Sequence, residues 1–193
     1  MTTNRITIIR RALAPAVIAL ASGTTLLACQ PSVNPESCNG VIGAVTVEDV
    51  TVPSGATCTL RGTRVQGNVT IARQGTLRAT GTSVGGNVQS QGHTLVTIRE
   101  SSRVGGSVQL EDGGEVQVAD SRVGGSIQLK ANRAKAGVAR TTVGADVQLF
   151  DNRGALASRN RIDGNLQCKS NVPAPTGGGN VVGGNKEDQC ARL

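Results

Sequence analysis

The stretch Ser102-Arg103-Val104-Gly105-Gly106-Ser107-Val108-Gln109-Leu110 returns 19 residues later as Ser121-Arg122-Val123-Gly124-Gly125-Ser126-Ile127-Gln128-Leu129. The pattern it carries, Val-x-Gly-x-Val-x-Leu, extends in both directions. Its first positions are Val65, Val84, Val104, Val123, Val143, Ile162 and Val182, separated by 19 or 20 residues each time. A constant period of this length marks a stack of small identical turns, each burying its apolar face only against its neighbours.

Within the unit, apolar residues alternate with polar ones, the period of a strand with one face buried. The predicted inward columns are Val65, Val84, Val104, Val123, Val143, Ile162; then Val69, Val88, Val108, Ile127, Val147, Leu166; then Ile71, Ser90, Leu110, Leu129, Leu149, Cys168. Between them runs Gly67, Gly86, Gly106, Gly125, Ala145, Gly164, read as inward positions where backbone approaches opposite backbone. A weaker strand precedes each unit: Leu77 with Ala79, Val96 with Ile98, Val116 with Val118, Ala136 with Val138, Ala155 with Ala157. Two strands per period, with Gly and polar corners between them, predict an all-β parallel β-solenoid (β-helix) of about seven turns, one turn per 19–20 residues, over residues 38–191. An antiparallel sandwich is the structural alternative, but it requires no such constant period.

Composition agrees. The 193 residues include 26 Gly, one Phe, and no Trp or Tyr, so the core must be built from stacked Val, Leu, Ile and Ala. The single histidine, His93, argues against histidine triads and multi-histidine metal centres. No cofactor is expected.

Residues 1–28 read as an export signal, with Arg5, Arg10 and Arg11 ahead of an apolar run. The end of that run, Leu26-Leu27-Ala28-Cys29, resembles the bacterial lipobox, which implies acylation of Cys29, a membrane-held amino terminus and a tether over residues 29–37. The plainer alternative is a secretory signal cut near Ala28. The signal holds three of the 20 basic residues and none of the 13 acidic ones, so removing it leaves 17 basic against 13 acidic, a formal charge of +4. That charge suits anionic envelope polysaccharides or lipid head groups as partners.

Four further cysteines fall near the ends of the array. Cys38 precedes Cys58 by 20 residues, and Cys168 precedes Cys190 by 22, so each pair lies on neighbouring turns. Turns are about 4.8 Å apart, within disulfide reach. Two disulfides stapling the ends are therefore predicted, in keeping with export. A zinc site is the competing reading, but it lacks a close Cys-x-x-Cys pair.

Function must come from the outward columns, since packing explains the inward ones. Thr70, Gln89, Gln109, Gln128, Gln148 and Gln167 form one column, and Asn68, Asn87, Ser107, Ser126, Asp146 and Asn165 its neighbour. Stacked amides of this kind form hydrogen-bonded ladders, or a flat polar face for glycan hydroxyls. A third column holds Arg64, Ser83, Arg103, Arg122, Thr142 and Arg161. Its guanidinium groups are candidates for anionic polymers, or form a solvated basic face. The glycan reading lacks the aromatic platforms on which both sugar-binding and single-strand nucleic-acid sites commonly rely, and no nucleic-acid partner is expected. For catalysis the best carboxylates are Asp146 and Asp163, with Arg161 nearby, but short corners leave little room for a cleft.

The Val-Gly-Gly-Asn-Val-Gln unit at residues 84–89 belongs with a C-terminal signature. It comprises Gly164-Asn165-Leu166-Gln167-Cys168-Lys169, then Pro173-Ala174-Pro175-Thr176-Gly177-Gly178-Gly179-Asn180, then Gly183-Gly184-Asn185-Lys186-Glu187-Asp188-Gln189-Cys190. Together these resemble a family of uncharacterised bacterial envelope proteins, which implies an exported repeat protein and no particular activity. More loosely the short coil is similar to the bactofilins, solenoids that polymerise end to end; export and terminal disulfides depart from that group. The expectation is a non-catalytic, envelope-anchored β-solenoid lipoprotein acting as a rigid structural or binding element. A polysaccharide-active lyase or hydrolase and a self-assembling sheath are the alternatives.

Overall fold

The alternation of small aliphatic and polar residues folds into strands whose hydrogen bonds run entirely between successive turns. The structure, a computed structural model, describes residues 36–193. The export signal, Cys29 and residues 30–35 of the tether lie outside the described residues. All pairing is parallel, in three sheets of nine, eight and eight strands, which gives about eight turns of a β-solenoid. The sequence reading of about seven counts the copies of the repeat unit, and the short strands before Val65 supply the further turn.

Each turn contributes three strands rather than two. In one turn these are Val88–Gln91 in sheet A, Leu95–Arg99 in sheet B and Arg103–Val104 in sheet C. The next turn begins with Val108–Glu111, which pairs in register with Val88–Gln91. The repeat unit is thus split by a corner: Val104 belongs to sheet C and Val108 to sheet A, with Gly105-Gly106-Ser107 turning between them. Because the bend preserves the inward direction at alternate positions, the hydrophobic pattern passes through it unbroken.

This corner also corrects the reading of the glycine column. A Cβ on Gly86 or Gly106 would collide with the Oδ1 of Asn68 or Asn87 on the preceding turn, and lies 2.8 Å from the Gly67 or Gly86 carbonyl oxygen. The constraint is therefore a close approach along the axis, not across the interior. Ala145 is the exception in that column, and it coincides with the longest bond of the adjacent ladder, Asp146 N to Ser126 Oγ at 3.4 Å.

From Val65 onward, turn length varies only away from this corner. From the inward residue of sheet C to that of sheet A the spacing is constant at four residues for turns starting at Val65 through Ile162. The extra residue of the longer turns enters at the B–C corner, where Glu100 and Ser101 both have positive φ (54° and 62°), or at the A–B corner after Leu129 and Cys168. At residues 48–49 the same C–A corner is one residue shorter, which explains the change of phase between Val47 and Val50.

The core is one continuous column of buried Val, Leu, Ile and Ala contributed by all three sheets. Ser90 is the polar member of its inward column, and its hydroxyl donates to the Ile71 carbonyl at 2.9 Å. Burying each aliphatic side chain contributes on the order of 1.5–3 kcal/mol, so regular stacking replaces the missing aromatics.

Both ends are closed as sulfur chemistry predicts, with a difference in position. Cys38–Cys58 and Cys168–Cys190 are bonded, with Cα separations of 5.3 and 5.2 Å. Cys58 and Cys168 occupy the inward places of Leu77 and Leu149. Their partners are not at equivalent strand positions: Gly40, not Cys38, sits above Cys58, and Asp188, not Cys190, sits beside Cys168. Each bridge reaches from a chain segment that caps the end. Glu36–Ser37, assigned to the tether from sequence, pairs with Val50–Thr51 as the first strand of sheet A. Beyond Cys190 the chain continues to Leu193, which packs against the core. Thr176–Gly178 pairs with Leu156–Ser158 in sheet B.

Candidate functional site

Sheet C has strands of only two residues, one inward and one outward, so its outer face is a single column of side chains. That column is Arg64, Ser83, Arg103, Arg122, Thr142 and Arg161, aligned turn by turn, with Arg103 directly paired to Arg122. All four arginines are exposed. Two residues further along the chain from members of the column lie the exposed glycines Gly85, Gly105, Gly124 and Gly144. Among the described residues only two ion pairs form, Arg140 with Asp120 and Arg161 with Asp163 at 4.0 Å. Arg64, Arg103 and Arg122 therefore have no carboxylate partner among the described residues. Unpaired guanidinium groups carried on adjacent rungs, whose backbones are about 4.8 Å apart, repel each other, and an anion placed between them relieves that repulsion.

The glutamine column on sheet A is a ladder. Gln89 Nε2 donates to Gln109 Oε1 at 2.8 Å, and the series continues through Gln128 and Gln148 to Gln167 at 3.2, 2.9 and 2.8 Å. It ends on Glu187 Oε2 at 2.8 Å. These amides satisfy one another along the axis.

At the C–A corner a second ladder runs from Asp49 through Asn68, Asn87, Ser107, Ser126, Asp146 and Asn165. Each side-chain oxygen accepts from the backbone N–H of the column member on the next turn, as in Asn87 N to Asn68 Oδ1 at 2.8 Å. Asp146 is one rung: its Oδ1 accepts from Asn165 N at 2.7 Å. The candidate acid pair is thereby divided. Asp163 sits beside Arg161, whereas one Asp146 oxygen is committed to the ladder as an asparagine oxygen would be.

Sequence reasoning missed two further columns, both buried. At the A–B corner Asn132, Asn152 and Asn171 form a ladder in which Asn152 Nδ2 donates to the Leu129 carbonyl at 2.7 Å while its Oδ1 accepts from Asn132. At the B–C corner Thr63, Thr82, Ser102, Thr141, Asn160 and Asn180 satisfy backbone groups, for example Asn160 Nδ2 to the Val138 carbonyl at 2.9 Å. The signal was present as asparagines recurring at the same period of 19 or 20 residues.

The A–B ladder stops at Gly113, whose N–H donates to Asn132 Oδ1 at 3.2 Å. One turn earlier stands His93, only 2% exposed. Its ring lies in the space that Gly113 leaves by having no side chain. Both ring nitrogens lack a hydrogen-bond partner, the only such buried side-chain atoms among the described residues. Burial pushes the imidazole down to about 4 from its usual 6.5. An unsatisfied buried polar group costs about 1–3 kcal/mol. Above the ring is a polar groove of about 740 Å³, whose charged lining residues are Arg73, Asp112 and Arg133.

Among the described residues no three His, Cys, Asp or Glu side chains gather as a metal site. Family models, curated proteins and solved structures give no match to this chain.

Proposed function

We propose that this protein is an exported, envelope-anchored β-solenoid lipoprotein that acts as a rigid, non-catalytic element and holds anionic envelope polymers along its arginine column. The observation that carries this reading is the unpaired state of Arg64, Arg103 and Arg122 on an exposed, register-aligned face. A linear polyanion matches such a face because its charges also repeat along one axis. The leader and the Cys29 lipobox support anchoring, and the two disulfides suit an oxidising compartment. Engagement of Asp146 in the corner ladder supports a structural role for that residue in place of a catalytic one. Charged residues at the terminal inward positions, Glu36 at one end and Lys186 and Asp188 at the other, blunt the exposed edges and favour a capped rod over a sheath.

The test is co-sedimentation of a soluble chain beginning at Gln30 with isolated envelope fractions at low and high salt. Pelleting with envelope that is lost at high salt and in an Arg103→Ala/Arg122→Ala variant supports the reading. Absence of pelleting overturns it, and pelleting of the protein alone points to self-assembly.

A further inference from the structure

The repeat breaks at one place on the A–B corner, and the break coincides with the polar groove. Where later turns carry Asn132, Asn152 and Asn171, the earlier two carry Gly113 and His93. Gly92, Gly113 and Gly114 line the opening and keep it free of side chains. Gly113 is required by the imidazole itself, since a Cβ there would overlap the His93 ring. Gly92 has φ of 86°, a conformation that admits other residues poorly.

Around this floor the polar groups are complementary in kind. Arg73 and Arg133 are exposed and have no carboxylate partner among the described residues. They belong to turns three apart, so about 14 Å of axis separates them. Asp112 lies on an intervening turn, where Oδ2 accepts from Gln91 Nε2 at 3.2 Å and leaves Oδ1 without an intramolecular donor. Ser54, Gln74 and Thr94 add hydroxyl and amide groups. The volume of about 740 Å³ falls among those of small-molecule sites, roughly 300–1,000 Å³.

We propose that this groove binds an acidic oligosaccharide, with Arg73 and Arg133 taking sugar carboxylates and Asp112 accepting sugar hydroxyls. The carboxylate of Asp112 between two guanidinium groups selects this chemistry over a bare polyphosphate. A phosphate chain would bring negative charge against Asp112 with no hydroxyl to donate. An acidic sugar supplies both partners at once. The site is on a different corner from the arginine column of sheet C and stands independently of it.

The only histidine in the sequence is the reporter. In the chain carrying Cys29→Ser with both disulfides intact, the His93 ring gives one Cε1–Hε1 correlation by NMR, directly beneath the groove. Titration with a galacturonate trimer at neutral pH is expected to move that signal saturably. An Arg73→Gln/Arg133→Gln variant weakens the apparent affinity at least tenfold, and Arg159→Gln, at an exposed position on the B–C corner, leaves it unchanged. Arg133→Glu alone, at an exposed position, weakens it as well and serves if the double variant is poorly folded. The proposal is overturned if the signal does not move, if a neutral maltose-type trimer or inorganic phosphate moves it equally, or if the groove variants bind as the parent does.

Discussion

Replacing Asn152 by Ala separates ladders that bear load inside the protein from those that decorate its surface. The Asn152 amide donates to the Leu129 carbonyl at 2.7 Å and to Asn171 Oδ1 at 3.2 Å, and accepts from both nitrogens of Asn132 at 3.1 and 3.0 Å. Its loss leaves the Asn132 N–H buried without a partner, at about 1–3 kcal/mol, and removes the second donor from the Leu129 carbonyl, which keeps its place in the parallel ladder opposite Leu149–Phe150. With the small cavity added, the expected loss is about 2–4 kcal/mol, a large fraction of the roughly 5–15 kcal/mol typical of a domain. Gln128 offers the matched comparison, because it too makes one ladder bond on each side, at 3.2 and 2.9 Å. It is only half-buried, so water replaces what Gln128→Ala removes, and the expected loss is about 1 kcal/mol or less. Guanidinium denaturation followed by circular dichroism, with disulfides intact, measures both. Losses within about 1 kcal/mol of each other would refute the argument that burial, and not bond number, sets a ladder's worth.

Stability should also depend on pH through His93. Its folded value, about 4, lies below the unfolded 6.5, so the unfolded chain takes up the proton first. Stability is full above pH 6.5 and falls by up to about 3 kcal/mol as pH drops through 4. Denaturation midpoints of the parent and His93→Gln across pH 4–7 isolate this contribution from that of Asp112 and the other carboxylates, and parallel curves would contradict it. Ala131 holds φ of 52°, so Ala131→Gly should stabilise the fold by roughly 0.5 kcal/mol, the relieved strain exceeding the added entropy of the unfolded chain; thermal melts check the sign. A Cys168→Ala/Cys190→Ala variant should lose about 3 kcal/mol. Hydrogen exchange should rise first in Val181–Val182 and Lys186–Asp188, and equal loss of protection in Val108–Glu111 would show that the last turn does not fray on its own.

The inward columns were legible because every turn repeats them at one period, and Val65, Val84 and Val104 need no knowledge of where the chain bends. The number of strands was not legible, since Val104 and Val108 keep their alternation across a corner. Gly106 looked like an interior gap from sequence; its actual constraint comes from Asn87 on the preceding turn, a contact along the axis that a single repeat does not display. The Gln and Arg columns could be aligned by counting. The groove could not, because Arg73, His93, Asp112 and Arg133 share one corner only after the extra residues of the longer turns are assigned to their places. A break in the asparagine column at His93 and Gly113 was the available clue.

The constant four-residue step at the C–A corner makes that edge a spine, while the other two corners absorb changes of length. A whole period duplicated between Leu110 and Leu129 would preserve every ladder and add about 4.8 Å of height. A single residue gained or lost on the spine is absorbed at its own turn, as the shorter corner at residues 48–49 leaves Val50 in register with Val69. Growth of such a solenoid in height during descent is therefore quantised in whole turns. New recognition loops have two corners open to them and one closed.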